Sequence, residues 1–234
     1  TCRYDLPFCW SNNDEMSVYY NEVIQRMLST GQLNLVANNK ADKDYFKLGV
    51  GNDIDVVPSI CDYTNAHHCQ NNKYFYWYSL DVLPPNNSLI KSRLGAFDWD
   101  ELTSYKAVIH VPYEISTMSL CEQYTAGIPL ILPTKEFLKK LWINGAKWQS
   151  ISAYWTKGLP KRYIKASDMD FWIDRADFYD PNNMPFIYYF DSWGDLNEMI
   201  SSFKDIYLDH RLDFIKTKKK IVTEFWCSKI EQQL

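Results

Sequence analysis

The sequence lacks a long hydrophobic run and a visible signal peptide. No stretch approaches the roughly 18–20 apolar residues of a membrane-spanning helix, so no membrane span is expected. An excess of positive charge is lacking too, because the net charge is −4. Binding to a phosphate backbone requires clustered Lys and Arg, and a nucleic-acid partner is therefore not expected.

Three short motifs are also missing. The six cysteines show no CxxC spacing, which favours free thiols in a reducing compartment such as the cytoplasm. Gly49-Val50-Gly51 does not continue into a G-x-G-x-x-G fingerprint, which argues against a nucleotide-sugar epimerase or another dinucleotide-binding enzyme. Asp168-Met169-Asp170 has the letters of a metal-binding DxD pair, but it precedes a predicted helix and is typical of capping. Neither a metal nor another cofactor is expected.

The residues that are present alternate between buried strands and helices. Apolar residues make up 46% of the chain and aromatic residues 16%, enough for a core and for sugar-facing surfaces. The hydrophobic pattern predicts an α/β fold with a parallel sheet. Strands are predicted at residues 33–37, 54–60, 88–90, 107–111, 128–132 and 186–190, and helices at residues 16–29, 41–48, 98–104, 115–125, 134–144, 196–208 and 210–229. Residues 74–83 are predicted as a strand or part of a linker, and residues 167–179 as a helix.

Two αβ halves follow from this order. A polar, turn-like stretch at residues 64–73 suggests a junction, with an N-terminal half at 1–73 and a C-terminal half at 74–234. The first half is short for a complete nucleotide-binding fold. Because the chain opens on Thr1 rather than Met, residues missing upstream would explain the shortness.

The segment from Tyr105 to Thr134 carries the strongest functional signal. Its apolar runs at 107–111 and 128–132 predict two buried strands, and residues 115–125 predict a helix between them that ends before Gly127.

The start of that helix contains Ser116, Thr117 and Met118. Backbone N–H groups at the start of a helix that follows a strand bind anions, and hydroxyls add donors there. Two carboxylates flank this point, Glu114 at the turn and Glu122 eight positions later inside the helix. The segment therefore predicts the diphosphate end of a nucleotide-sugar site.

The run from Glu114 to Glu122, followed by Ala126-Gly127-Ile128-Pro129, resembles the E-x7-E and A-G-x-P signature of GT-B glycosyltransferases. The segment STMSLCEQYTAGIPLILPTKEFL resembles the glycosyltransferases of large DNA viruses of green algae more closely still. The resemblance covers about residues 5–195. It implies a GT-B-like fold of two Rossmann-like halves, with the donor site in the C-terminal half, and a location in the host cytoplasm if the chain is viral.

The resemblance also implies roles for individual residues. Glu122 matches the second glutamate of the signature, which accepts hydrogen bonds from the donor ribose. Ser116, Thr117 and Met118 would hold the diphosphate, and Glu114 would lie nearer the transferred sugar. The alternative is that both glutamates are ordinary surface carboxylates.

Lys91 and Arg93 follow a predicted strand upstream of this segment. Cations at that position would neutralise the leaving diphosphate in a fold that usually works without a metal. Solvated basic residues at the end of a strand are an equally good interpretation.

An inverting transfer needs a general base on the acceptor hydroxyl. The family takes it from an N-terminal loop, where Asp14 is the first candidate; Asp14 is an equally good N-cap for the next helix. Asp5 and Glu15 lie in the same segment. The other candidates for the base are His67 and His68, an exposed pair in a polar loop. Three aromatic residues are candidates for stacking on a sugar or base: Tyr154, Trp155 and Trp172.

Two functions from different classes remain. The first is a glycosyltransferase that moves a sugar from a UDP-sugar, with xylose suggested by the resemblance, to a hydroxyl of an oligosaccharide or glycoprotein acceptor. The E-x7-E signature is typical of retaining members, whereas the closer resemblance implies inversion, which we expect; no metal is expected. The second is a non-catalytic glycan-binding or scaffolding protein on the same frame, and nucleotide binding distinguishes the two.

Overall fold

The computed structural model describes residues 14–79, 82–92, 98–144 and 169–231. These residues form two compact units. The first contains residues 14–58, 114–116 and 169–180, and the second contains the remainder. The chain thus first changes unit after residue 58, whereas the sequence suggested a junction near residue 73. It also returns to the first unit twice, which a single linear boundary does not represent.

Helices and strands alternate along both units. The strands are β1 (Val36–Ala37), β2 (Asp55–Val56), β3 (Phe75–Tyr78), β4 (Ile90–Ser92), β5 (Ala107–His110), β6 (Leu130–Pro133) and β7 (Tyr188–Phe190). The helices are α1 (Asp14–Ser29), α2 (Lys40–Val50), α3 (Trp99–Ser104), α4 (Met118–Thr125), α5 (Lys135–Ile143), α6 (Met169–Ile173), α7 (Trp193–Ser202) and α8 (Leu208–Glu231). Short 3₁₀ turns occupy Asp62–Thr64 and Asp177–Tyr179 among the described residues.

The first unit is built on a short parallel pair, β1 with β2. Asn39 caps α2 by accepting a hydrogen bond from the backbone N of Asp42 at 2.7 Å, and Gly51 ends the helix with φ 89°. One face of α2 packs on α1 around the buried side chains Ile24, Phe46 and Val50. Leu33 and Leu35 were predicted in a strand but pack against this core outside the ladder, which is why β1 contains only two residues.

The second unit is built on a five-stranded parallel sheet with the order β4-β3-β5-β6-β7. Every residue of β5 and β6 is buried, as expected for central strands covered on both faces. The sheet with its flanking helices is compatible with a Rossmann-like α/β arrangement, so the expected α/β class is confirmed. The open choice for residues 74–83 is resolved as well, since β3 pairs on both sides.

A tight connection joins α4 to β6. The N–H of Ile128 donates to the carbonyl of Gln123 at 3.2 Å, which closes the end of the helix, and Gly127 adopts φ 78°. The buried guanidinium of Arg211 on α8 donates to the Gly127 carbonyl and forms an ion pair with Asp205. Both α4 and α8 therefore hold this turn in place.

In the part of the chain that the structure describes, no helix is long and apolar enough to cross a membrane.

Replacing Gly127 by alanine should destabilise the second unit by about 1–2 kcal/mol, because a side chain is strained at this positive φ. A Cβ would also lie 2.9 Å from a Leu212 methyl, but that half-exposed side chain can move away. Urea unfolding followed by fluorescence measures the change. Gly194→Ala, at an exposed position of α7 with only ordinary contacts, is the matched control and should stabilise by about 0.5–1 kcal/mol. Equal effects of the two variants would contradict the argument.

Candidate functional site

The start of α4 lies beyond the carboxyl end of β5, the central strand of the large sheet. Thr117 is the N-cap residue, but its side chain makes no capping hydrogen bond to the first turn. The first turn of α4 also contains no acidic residue. Its positive helix end is therefore neither capped by the Thr117 side chain nor neutralised from within the helix.

Other helices of the chain are capped differently. The N-cap side chains of α2, α3, α5 and α7 each accept a hydrogen bond from the first turn, and each of these helices has an acidic residue there. The N-caps are Asn39, Asp98, Thr134 and Ser192. In those four helices the N-cap side chain and a first-turn carboxylate complement the positive helix start, whereas in α4 neither the Thr117 side chain nor the first turn does so.

The strand order reverses beside this helix start. The chain moves outward from β3 to β4, then crosses back so that β5 pairs with the other side of β3. In open α/β sheets, ligands bind outside the carboxyl ends of the strands where the order reverses. The start of α4 follows one of the two strands that define this point.

Glu122 lies one helical turn after Met118 on α4, and Met118 is 40% exposed. The Glu122 carboxylate accepts a hydrogen bond from the hydroxyl of Tyr63, whose side chain is 71% exposed. Burial, followed by the hydrogen bond and the charge of Glu122, raises the pKa of Tyr63. The tyrosine therefore stays protonated as the donor. A half-exposed carboxylate with one neutral partner remains able to accept bonds from sugar hydroxyls.

The turn that carries Tyr63 is fixed to α4. The N–H of Cys61 donates to the Thr125 hydroxyl at 3.2 Å, and Asp62 forms an ion pair with Lys219 of α8. Burial, then the charge of Glu122, raises the pKa of the Cys61 thiol to about 11, so this buried cysteine is a neutral packing group.

Ser116 belongs to the first unit and is already hydrogen-bonded there. Its hydroxyl accepts from the Asn39 side chain at 2.9 Å and donates to the Asp42 carboxylate at 3.3 Å. These bonds engage the hydroxyl that the sequence assigned to a diphosphate. They also hold Ser116 outside the helix, which begins at Met118 rather than at the predicted residue 115.

Glu114 belongs to the first unit as well, and it is 3% exposed. A buried glutamate is uncommon because desolvation of the carboxylate is costly, and such positions are often functional. The alternative that Glu114 is an ordinary surface carboxylate is wrong.

Lys91 lies on β4, an edge strand separated from β5 by β3. Its ammonium group lies 4.2 Å from the centre of the Tyr74 ring, a residue that precedes β3. Tyr74 is at the amino end of the sheet, so the structure does not bring Lys91 together with the start of α4. Arg93, its predicted companion, lies outside the described residues.

The candidates for a general base are only partly described. Helix α1 begins at Asp14 itself, whose side chain lies outside the described part, as does Asp5. His67 is exposed, as predicted, but His68 is half-buried, and its Nδ1 lies 2.8 Å from the Thr103 carbonyl. Burial lowers the pKa of His68.

Of the three aromatic candidates for stacking, the structure describes Trp172. Trp172 is fully buried and packs edge-on against Tyr45, so it is a core residue of the first unit. Tyr154 and Trp155 lie outside the described residues. Over the described ranges, no group of three or more His, Cys, Asp or Glu residues is arranged to hold a metal ion.

Gln123, which the sequence did not single out, joins α4 to His110, whose position inside an apolar strand predicts a core histidine. Gln123 on α4 is fully buried, and its Oε1 lies 2.9 Å from Nδ1 of His110, the last residue of β5. The centre of the His110 ring lies 4.4 Å from that of Tyr78 on β3, with the two rings tilted by 32°. The Nε2 atoms of His110 and Gln123 and the Oγ of Ser119 are buried with no hydrogen-bond partner among the described residues. The signal for His110 was a histidine inside an apolar strand, whereas α4 carries several polar residues, so Gln123 did not stand out.

Comparison with known proteins adds no further evidence, since no family model, curated protein or solved structure matches this chain.

The His110 environment makes a pH-dependent prediction. Burial lowers the pKa of His110 to about 4, below the value of about 6.5 in an unfolded chain. The unfolded state therefore binds more protons between these values, and stability falls as the pH drops below about 6.5. Relative to His110→Asn, the wild type should lose about 2 kcal/mol of unfolding free energy between pH 7 and pH 5.

Urea unfolding at both pH values measures this difference. Comparison with the variant is essential, because the lowered pKa of His68 acts in the same direction in both proteins. A difference between wild type and variant that is unchanged from pH 7 to pH 5 would show that His110 is not a buried neutral group.

Proposed function

We propose that the chain is a glycosyltransferase that binds a nucleotide sugar at the start of α4 and transfers the sugar to a hydroxyl of a glycan acceptor. The observation that carries the proposal is the start of α4 beyond the central strand β5, where the strand order reverses and where neither the Thr117 side chain nor an acidic residue of the first turn caps the helix. Backbone amides and the helix dipole favour a diphosphate at such a position.

The distance along α4 fits the rest of a nucleotide. Glu122 lies one turn, about 5–6 Å, beyond the first residue of the helix. A ribose is attached directly to the diphosphate, and its two hydroxyls are donors that match a half-exposed carboxylate. Thr117, Met118 and Ser119 would thus contact the diphosphate, and Glu122 the ribose.

The reaction follows from these roles. In an inverting transfer, the acceptor oxygen attacks the anomeric carbon, a base takes its proton, and the bond to the diphosphate breaks. Negative charge develops on the leaving diphosphate, and the helix-start amides would stabilise it there. Asp14 remains the proposed base, and Glu114 a proposed contact of the transferred sugar.

The finer assignments rest on the family resemblance. They are a GT-B frame, a UDP-sugar donor with xylose as the transferred sugar, inversion of configuration, and an oligosaccharide or glycoprotein acceptor. Lys91 and Arg93 are the weakest members of the proposed site, because Lys91 contacts Tyr74 instead.

One observation favours the alternative of a non-catalytic glycan-binding protein. The hydroxyl of Ser116 and the carboxylate of Glu122 are both engaged by groups of the protein itself. In a catalytic site these groups would be kept for the substrate. A protein that binds glycans but no nucleotide would fit this alternative.

Nucleotide binding tests the proposal directly. A thermal-shift panel of UDP, GDP and CMP, each with and without Mg²⁺, should show stabilisation by UDP that does not require the metal. The shift should grow with ligand concentration, because a ligand that binds only the folded state stabilises it by mass action. Failure of every nucleotide to shift the transition would contradict the proposal and favour the glycan-binding alternative.

Glu122→Ala should weaken UDP binding about 10–100-fold, because two hydrogen bonds to a charged acceptor are lost. Isothermal titration calorimetry measures the affinity. Glu136→Ala, at an exposed position of α5, is the matched control and should bind UDP as the wild type does. If both variants bind UDP with unchanged affinity, Glu122 does not hold the ribose.

A further inference from the structure

Tyr63 is held in an unusual way. Its side chain is 71% exposed, so burial contributes little to fixing the ring. Its hydroxyl nevertheless donates to Oε1 of Glu122, the carboxylate that the proposed function assigns to the ribose.

The backbone under Tyr63 is much better fixed than its ring. Cys61 is tied to Thr125 of α4, Asp62 is paired with Lys219, and the N–H of Asn65 closes the turn on the Asp62 carbonyl at 3.1 Å. The ring can therefore rotate away from Glu122 without disturbing the turn, because the contacts that have to break are those of its hydroxyl with the Glu122 carboxylate and the Cys61 thiol.

Two donors then compete for one acceptor. A carboxylate oxygen can accept more than one hydrogen bond, but a ribose diol that approaches Glu122 from solvent meets the Tyr63 hydroxyl and ring on the same carboxylate. From this geometry, and resting on the proposed function, we infer that Tyr63 is an internal competitor that occupies Glu122 until the ribose of a nucleotide displaces it.

Competition by Tyr63 lowers the affinity of ligands that bind Glu122 and makes binding selective for a diol. The free protein keeps the carboxylate hydrogen-bonded, so a ligand gains only the difference between its own bonds and the Tyr63 bond. A ribose offers two hydroxyls against the one of Tyr63 and wins, whereas a ligand that presents a single hydroxyl gains little. Tyr63 thus favours nucleotides with an intact diol over deoxy analogues.

The test removes only the competing hydroxyl. Tyr63→Phe should bind UDP about three- to tenfold more tightly than the wild type, since one hydrogen bond to a carboxylate no longer has to be broken. With 2′,3′-dideoxy-UDP, which lacks both competing hydroxyls, the two proteins should bind equally. Tyr19→Phe, at a tyrosine of α1 that is 61% exposed, is the matched control and should leave UDP affinity unchanged.

The outcomes separate this inference from the proposed function. If UDP binds neither the wild type nor Tyr63→Phe, the proposed function fails and the inference fails with it. If UDP binds the wild type and Tyr63→Phe with equal affinity, or if the gain is the same for dideoxy-UDP, the proposed function stands and the competition is overturned. Thermal unfolding of Tyr63→Phe should remain a single cooperative transition, lowered only slightly by the loss of this one hydrogen bond, which excludes misfolding as a cause.

Discussion

The parallel pairing of β5 inside the large sheet is the constraint on which the second unit depends. β5 is bonded to β3 on one side and to β6 on the other, and all four of its residues are buried. Parallel neighbours require each connection to travel back along the sheet, so the chain leaves β5 at its carboxyl end and returns before β6, here through the helix α4. The location of the α4 start is thus a consequence of strand pairing.

Much of this frame could be predicted from the sequence. The apolar runs that became β5 and β6 were found because central parallel strands are apolar throughout, and α5 was predicted at residues 134–144, directly after the second run. The contacts that decided the remaining details are long-range. Ser116 is held by Asn39, a residue 77 positions earlier, and this bond explains why α4 begins later than its own sequence indicates.

In the candidate site, too, the residues with a local motif could be predicted and their long-range partners could not. Glu122 could be chosen from its motif, but its partner Tyr63 lies 59 positions away, and no local pattern joins the two. His110 could be predicted as a core histidine, but its partner Gln123 could not, because a polar residue within an apolar strand gives no indication of what it contacts. The position of Lys91 escaped prediction for a different reason. The sequence indicated a strand beside it, but not that this strand lies at the edge of the sheet.

The first unit is assembled from separate pieces of chain. Residues 169–180 return to it, with Arg175 paired to Asp44 and Trp172 packed on Tyr45. Neither unit therefore corresponds to one continuous stretch of the gene. A truncation after residue 58 would remove these partners from the first unit. Recombination with another protein at that point would separate Asp44 from Arg175, which lie more than a hundred residues apart in the sequence.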